Sequence, residues 1–211
     1  GQAQVDTQNG VQNTGTVYAQ GNTAITTRGD INNSGANAVI AAQNNTALSA
    51  TGAGSQITSA SGAVLAAGVQ TDGTLGTSGN LTASATQSIA AQGQNLSGGD
   101  QSLTAQAVNI SGSQTSARNL SVTTSGGDIN LANATVAVSQ TLTASANQTL
   151  RTDGANVSAN QINAAAHDLS NVQGQIVQTG SGDMALNLPG SDRIAPVIGP
   201  PRPPLPMAAA G

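Results

Sequence analysis

The sequence has no Cys, Trp, Phe, Lys or Glu, and Tyr18 is its only aromatic residue. Without Cys there are no disulfide staples and no thiolate nucleophile, which fits a protein that stays unfolded through an oxidising periplasm. Without Phe and Trp, a compact globular core of the usual kind loses its main source of buried area. Any interior must be built from Leu, Ile, Val and Ala. Five Arg and nine Asp, scattered along the chain, give a net charge of −4 and no basic stripe for nucleic acid. No apolar run approaches the length of a transmembrane helix. The chain opens on Gly1 without a basic-then-apolar leader, so the expectation is a piece of a longer protein with no signal peptide in it.

Leu, Ile and Val together number 39 of 211 residues, low enough to raise disorder. Disorder of that kind draws on high net charge, which is missing here. The remainder is Ala, Gly, Ser, Thr, Asn and Gln, a composition suited to a thin, regular, hydrogen-bonded structure.

A repeat carries the fold. Segments opening at Leu81, Leu103, Leu120, Leu142, Ile162 and Met184 follow one another at 22, 17, 22, 20 and 22 residues, a period of about 20. Ile25, Leu48 and Val64 open looser segments upstream. Each segment alternates with period 2, as in Leu81, Ala83 and Ala85 against Thr82 and Ser84, or Leu103/Ala105/Ala107, Leu142/Ala144/Ala146 and Ile162/Ala164/Ala166. That is the signature of a half-buried strand. A second apolar point follows at Ile89, Ile110, Ile129, Leu150 and Leu169, and a third at Leu96, Val136, Val157 and Ile176. In the segment from Leu103 the third point is missing, matching its short spacing. Gly98-Gly99-Asp100, Gly126-Gly127-Asp128 and Asp153-Gly154-Ala155-Asn156 supply corner residues.

Three short strands per coil of about 20 residues predict an all-β fold: a parallel β-helix, or solenoid, right-handed by the general chirality of parallel crossovers. A single coil cannot offset its ordering entropy, so the coils must stack. Roughly nine coils over residues 1–190 would form a rod of about 45 Å at ~4.8 Å per coil. An antiparallel sandwich would instead show hairpin signals and no fixed three-point unit. The expected organisation is less regular coils over 1–78, regular coils over 79–188, and a Pro-rich extended or disordered tail over 189–211. The seven prolines all fall between Pro189 and Pro206, and proline cannot donate to a ladder.

Parallel β-helices include polysaccharide-degrading enzymes, whose sites cluster acids and bases on one face. With Glu and Lys missing, Asp100, Asp128 and Asp153 read as turn residues beside Gly. His167, the only histidine, stands next to Asp168 with no Ser or Cys partner pattern. No calcium nonapeptide, phosphate loop or zinc spacing is present. The expectation is a protein that is not an enzyme, with no catalytic, cofactor-binding or metal-binding residues and no cofactor. Asn-x-Ser/Thr triplets at Asn44, Asn80, Asn95, Asn109, Asn119, Asn133, Asn147 and Asn156 follow from composition. Outward positions 82, 104, 121, 143 and 163 read Thr, Thr, Ser, Thr, Asn, too irregular for a flat ice-matching face.

The segments Gly79-Asn80-Leu81-Thr82-Ala83, Asp168-Leu169-Ser170-Asn171-Val172-Gln173-Gly174-Gln175-Ile176 and Gly180-Ser181-Gly182-Asp183-Met184-Ala185-Leu186 resemble the repeats of filamentous haemagglutinins. Similar repeats form the shafts of contact-dependent inhibition proteins and other exoproteins of two-partner secretion. The resemblance covers about residues 20–188. It implies a right-handed β-helix shaft, exported by an outer-membrane two-partner-secretion transporter and displayed on, or released from, a Gram-negative cell. It further implies a role in adhesion or contact-dependent toxin delivery, as a shaft projecting a distal domain. The alternative is a direct adhesin that binds a host or neighbouring-cell receptor, glycan or protein, through the shaft surface. A polysaccharide-degrading enzyme is the remote alternative. The amino-terminal secretion domain and carboxy-terminal toxin or adhesin domain of complete members are not in this sequence.

Overall fold

The computed structural model describes residues 1–190 of the chain. Among these residues there are strands and turns but no helix. The strands stack as a parallel β-solenoid of about 9 turns with ~21 residues per turn. The sequence-derived fold class and coil number therefore hold.

The coil has three faces. The first is built from Ala3–Thr7, Thr23–Thr27, Thr46–Ala50, Leu81–Ala85, Asp100–Ala105 and Asn119–Thr124. It continues through the second halves of Thr135–Ser145 and Asn156–Ala165 and ends at Ala185–Asn187. The second runs from Val11–Asn13 through Ile31–Asn33, Gln56–Ser59, Ser88–Ala91, Ala107–Asn109, Ile129–Asn130 and Thr149–Arg151 to Asp168–Ser170. The third runs from Thr16–Ala19 through Val39–Ala42, Val64–Ala67, Gln94–Ser97 and Gln114–Ala117. It takes in the first halves of the two long strands and closes on Gln175–Gln178. Every strand pair is parallel, as three faces of one winding require.

Residue type fixes which way each strand faces. Leu81, Ala83 and Ala85 are buried while Thr82 and Ser84 are exposed, as the alternation predicts. On the second face, Val11, Ile31, Ile57, Ile89, Val108, Ile129, Leu150 and Leu169 stack in register into one unbroken aliphatic row. Ile31, Ile57, Ile89 and Ile129 in this row are all at most 1% exposed.

The phase of the coil holding Leu103 differs from the sequence expectation, and Ile25 and Leu48 likewise stack on Ala83 instead of Leu81. Leu103 pairs with Ala83 and Val122, and the true partner of both Leu81 and Leu120 is Gln101. The spacings are therefore 20 and 19 residues rather than 22 and 17. A slip of two residues keeps every side chain on its own face, so the pattern cannot register it. For the same reason Val108, not Ile110, belongs to the second-face row, and Ala107 opens the second-face strand beside Ser88 instead of continuing the run of Leu103 and Ala105. The third point of that coil is present but polar: Thr115 stacks between Asn95 and Val136. In the coil before it, Asn95 faces inward and Leu96 faces out. Val64 belongs to the third face and does not open a coil.

The largest irregularity is an insertion. Thr46 and Leu81 are neighbours in the first face although 35 residues separate them. Residues 68–80 leave the coil after Val64–Ala67 as a short hairpin, closed by an antiparallel bridge between Val69 and Leu75 and a Gly76 N to Gly68 O hydrogen bond of 2.8 Å. Asp72 turns its tip by accepting from the amide (2.9 Å) and hydroxyl (2.6 Å) of Thr74. The Tyr18 hydroxyl donates to Val69 O at 3.0 Å, so the one aromatic side chain props the hairpin against the third face. The same winding continues on both sides of it, because the first and third faces pair straight across. Of the expected tail, Pro189 and Gly190 follow the last strand, and the rest lies outside the described residues.

Candidate functional site

The residues that could carry chemistry are tied into corners between coils. Immediately before the first face, Asn22 Oδ1 accepts from the Asn45 amide (3.1 Å), Asn45 Oδ1 from the Asn80 amide (2.9 Å), and Asn80 Oδ1 from the Asp100 amide (2.9 Å). Asp100 then accepts from Asn119 Nδ2 at 2.8 Å, and Asn119 Oδ1 from the Thr141 amide at 3.1 Å. This external ladder was missed in the sequence. Its signal is the Asn just before the inward Leu in Asn80-Leu81-Thr82 and Asn119-Leu120-Ser121.

The aspartates singled out by sequence do similar work and do not converge. Asp100 begins a strand and also accepts from Arg118 Nε (3.1 Å) and its terminal nitrogen (2.9 Å). Asp128 accepts from the Thr149 amide at 2.9 Å. Asp153 accepts from the Val172 amide (2.8 Å) and the Ser170 hydroxyl (2.7 Å), with Arg151 at 3.5 Å. His167 is exposed, and its Nδ1 lies 2.9 Å from the Asp168 carboxylate. Among the described residues, no three His, Cys, Asp or Glu side chains group closely enough to hold a metal ion.

Hydrogen bonding lowers the carboxyl of Asp100, chiefly from Asn119 and then from Arg118. The Val172 amide does the same for Asp153, followed by Ser170 and Arg151. Both groups therefore bind protons less readily in the folded rod than in the unfolded chain. The stability they contribute is in place above the ordinary aspartate value of 3.8 and is lost as pH falls through the lowered values. The urea midpoint is expected to stay level from about pH 7 to 5 and to drop below about pH 4. The drop is small because both carboxylates are solvated. Asp100→Asn and Asp153→Asn should each shrink it, and a midpoint that rises on acidification would contradict this assignment.

Two surfaces remain. A groove of about 450 Å³ runs between the inserted hairpin and the third face, lined by Leu75, Thr77, Ser116, Arg118, Ala137 and Ser158. Its cation, Arg118, is already paired with Asp100. On the first face, the outward residues stack in two rows once the register is taken into account. One row reads Ala24, Ala47, Thr82, Ser102, Ser121, Thr143, Asn163. The other reads Thr26, Ser49, Ser84, Thr104, Thr123, Ser145, Ala165. Thr104 thus belongs to a different row from Thr82 and Ser121, and the true row, with Ser102 in its place, is as irregular as the sequence reading has it. The Ser and Thr hydroxyls here point to solvent, whereas inward Thr23 and Thr46 donate to Ala41 O (2.8 Å) and Ala66 O (2.6 Å).

The Asn-x-Ser/Thr triplets separate by environment. Asn95 is buried, Asn80 and Asn119 serve the corner ladder, and Asn109 accepts from the Ser111 amide. Asn44, Asn133, Asn147 and Asn156 are exposed.

No family model and no solved structure matches the chain. Over 134 residues, 64% of its length, the chain is 41% identical to Toxin CdiA of Yersinia pestis. It spans about 4% of the length of that protein.

Proposed function

We propose that this chain is a stretch of structural shaft from a large two-partner-secretion exoprotein, displayed at or released from the surface of a Gram-negative cell. In this reading it holds a distal toxin or adhesin domain away from the membrane and has no catalytic role. An outer-membrane transporter would export it as an unfolded, Cys-free chain, and stacking of coils outside would fold it. The observation that carries the reading is a continuous three-face solenoid with aspartates bridging successive corners, in a chain that over 134 residues is 41% identical to part of a protein named as a CdiA toxin.

A second reading, direct adhesion through the shaft surface, draws on the first face. Its two hydroxyl-rich rows are uncharged from Ala24 to Ala165, and their hydroxyls are free to bond a partner. Labelled chain titrated onto Gram-negative cells, epithelial cells and a neutral glycan array separates the two. The spacer reading expects no saturable binding to any of them. Saturable binding that is lost when Thr82, Ser102, Ser121 and Thr143 are replaced by Asp would replace it with direct adhesion. Turnover of an added polysaccharide would overturn both.

A further inference from the structure

Midway along the rod the interior holds polar side chains whose hydrogen bonding is incomplete. In the inward row of the third face, Val17, Ile40 and Leu65 give way to Asn95 and Thr115, and Val136, Val157 and Ile176 follow. In a first-face row that opens on Thr23 and Thr46, Leu81 gives way to Gln101, and Leu120, Leu142 and Ile162 follow. Ser97 and Ser113 lie in the same two coils, and all five polar residues are at most 3% exposed.

Some of these groups find partners. Asn95 Nδ2 donates to Ala91 O (2.8 Å) and to the Thr115 hydroxyl (3.2 Å), and Ser97 Oγ donates to Gly79 O (3.0 Å) and Asp100 O (2.9 Å). Asn95 Oδ1 and both ends of the Gln101 carboxamide are buried without a partner. Inward polar groups in earlier coils differ: Thr23 and Thr46 each donate to a third-face carbonyl, and Asn33 is bonded at both ends of its carboxamide. An unmet buried polar group favours any opening that admits water, and a nearest-neighbour stack transmits no rescue from coils further away.

We infer that coils four and five, Leu81 to Ala117, form a belt of incompletely bonded polar side chains where the rod opens first, between two blocks whose inward polar side chains have partners. The belt is a built-in release point: strands Gln94–Ser97, Asp100–Ala105 and Gln114–Ala117 open locally while the blocks on either side stay wound. The inserted hairpin enters just ahead of this belt, so a test must separate the hairpin from the polar interior as the cause.

Hydrogen exchange of the intact chain, read by mass spectrometry, makes that separation. In the native chain, amides of the three belt strands are expected to exchange about tenfold or more faster than those of Thr46–Ala50 and Asn119–Thr124. The pair Asn95→Val with Gln101→Leu restores the side chains of the neighbouring rows and should slow belt exchange by about tenfold, leaving other strands unchanged. Belt and flanking strands exchanging alike in the native chain would overturn the inference, whatever the variant does. Fast belt exchange that the double substitution leaves unmoved would also overturn it, assigning the weakness to the hairpin.

Discussion

Gly79→Ala is expected to cost about 4 kcal/mol or more, enough to leave the chain unfolded or nearly so. Gly79 sits at the neck of the inserted hairpin with φ of +101°, where an L side chain is strained. A Cβ added there would lie 2.5 Å from Asn44 O and 2.6 Å from Gly68 Cα, and nearer still to the Gly68 nitrogen. All three are backbone atoms, so no rotamer change can relieve the overlap. They also belong to the stitching of the neck: Gly68 N donates to Asn44 O at 3.0 Å, and Gly79 O accepts from the Gly99 amide at 2.8 Å. Displacing them separates the coil containing Leu48 from the coil containing Ala83. Gly73, at the hairpin tip, provides the control: its φ is +84° but no atom lies within 4 Å of a built Cβ. Gly73→Ala should cost only the left-handed backbone strain, about 1–2 kcal/mol. Equal losses in the two variants, measured by urea denaturation, would remove the close-packed neck from the explanation.

The neck also shows why the insertion was illegible in the sequence. The stretch from Gly68 to Asn80 is Gly, Thr, Ser, Asp, Asn and Gln with isolated Val69 and Leu75, the same mixture that makes the corners of the rod. A hairpin leaving the coil and a loose coil look alike in that alphabet, so Val64 could be mistaken for a coil opening. Period-2 strands and the second-face row were legible because their information is local: one aliphatic residue per coil, flanked by turn residues. Stacking phase is non-local. At Gln101 the interior is polar, so alignment on the next leucine, Leu103, moved one coil by two residues. No side chain changed face, and only the distances between coils exposed the error.

Asp128 and Asp153 lie in corners as the sequence suggests, whereas Asp100 begins a strand, and the partners of all three are one coil away. Asp128 to Thr149 and Asp153 to Val172 are bonds across 21 and 19 residues, contacts that a sequence window of one turn does not reveal. The same distance hid the Asn22–Asn45–Asn80 ladder. What the sequence offers about chemistry is therefore limited to inventory. That inventory was informative because Glu, Lys and Cys are missing altogether. Grouping required the wound structure, which uses Asp30, Asp100, Asp128 and Asp153 to join coils.

Asn33 carries the second large effect, and it tests whether the interior is sealed. Its side chain is fully buried, accepts from Asn13 Nδ2 at 2.8 Å, and donates to Val64 O at 3.0 Å and the Ser59 hydroxyl at 3.3 Å. The carboxamide thereby joins three successive coils at the corner between the second and third faces. Asn33→Ala removes both ends of these bonds and leaves a small void, a loss of about 2–4 kcal/mol. Asn33→Asp keeps the shape but places a carboxylate, which has no donor, against Val64 O and Ser59. At neutral pH that should cost about 3–5 kcal/mol, the penalty of an uncompensated buried charge. Burial raises the pKa of the introduced carboxyl above its unfolded value, so the penalty is present above that raised pKa and is relieved as pH falls through it. The deficit relative to the native chain should therefore narrow on acidification, although the native rod itself weakens below about pH 4 as its corner aspartates protonate. A deficit that stays constant between about pH 7 and 4 would mean that water reaches Asn33, and the ladder would then be a hydrated seam instead of a dry one.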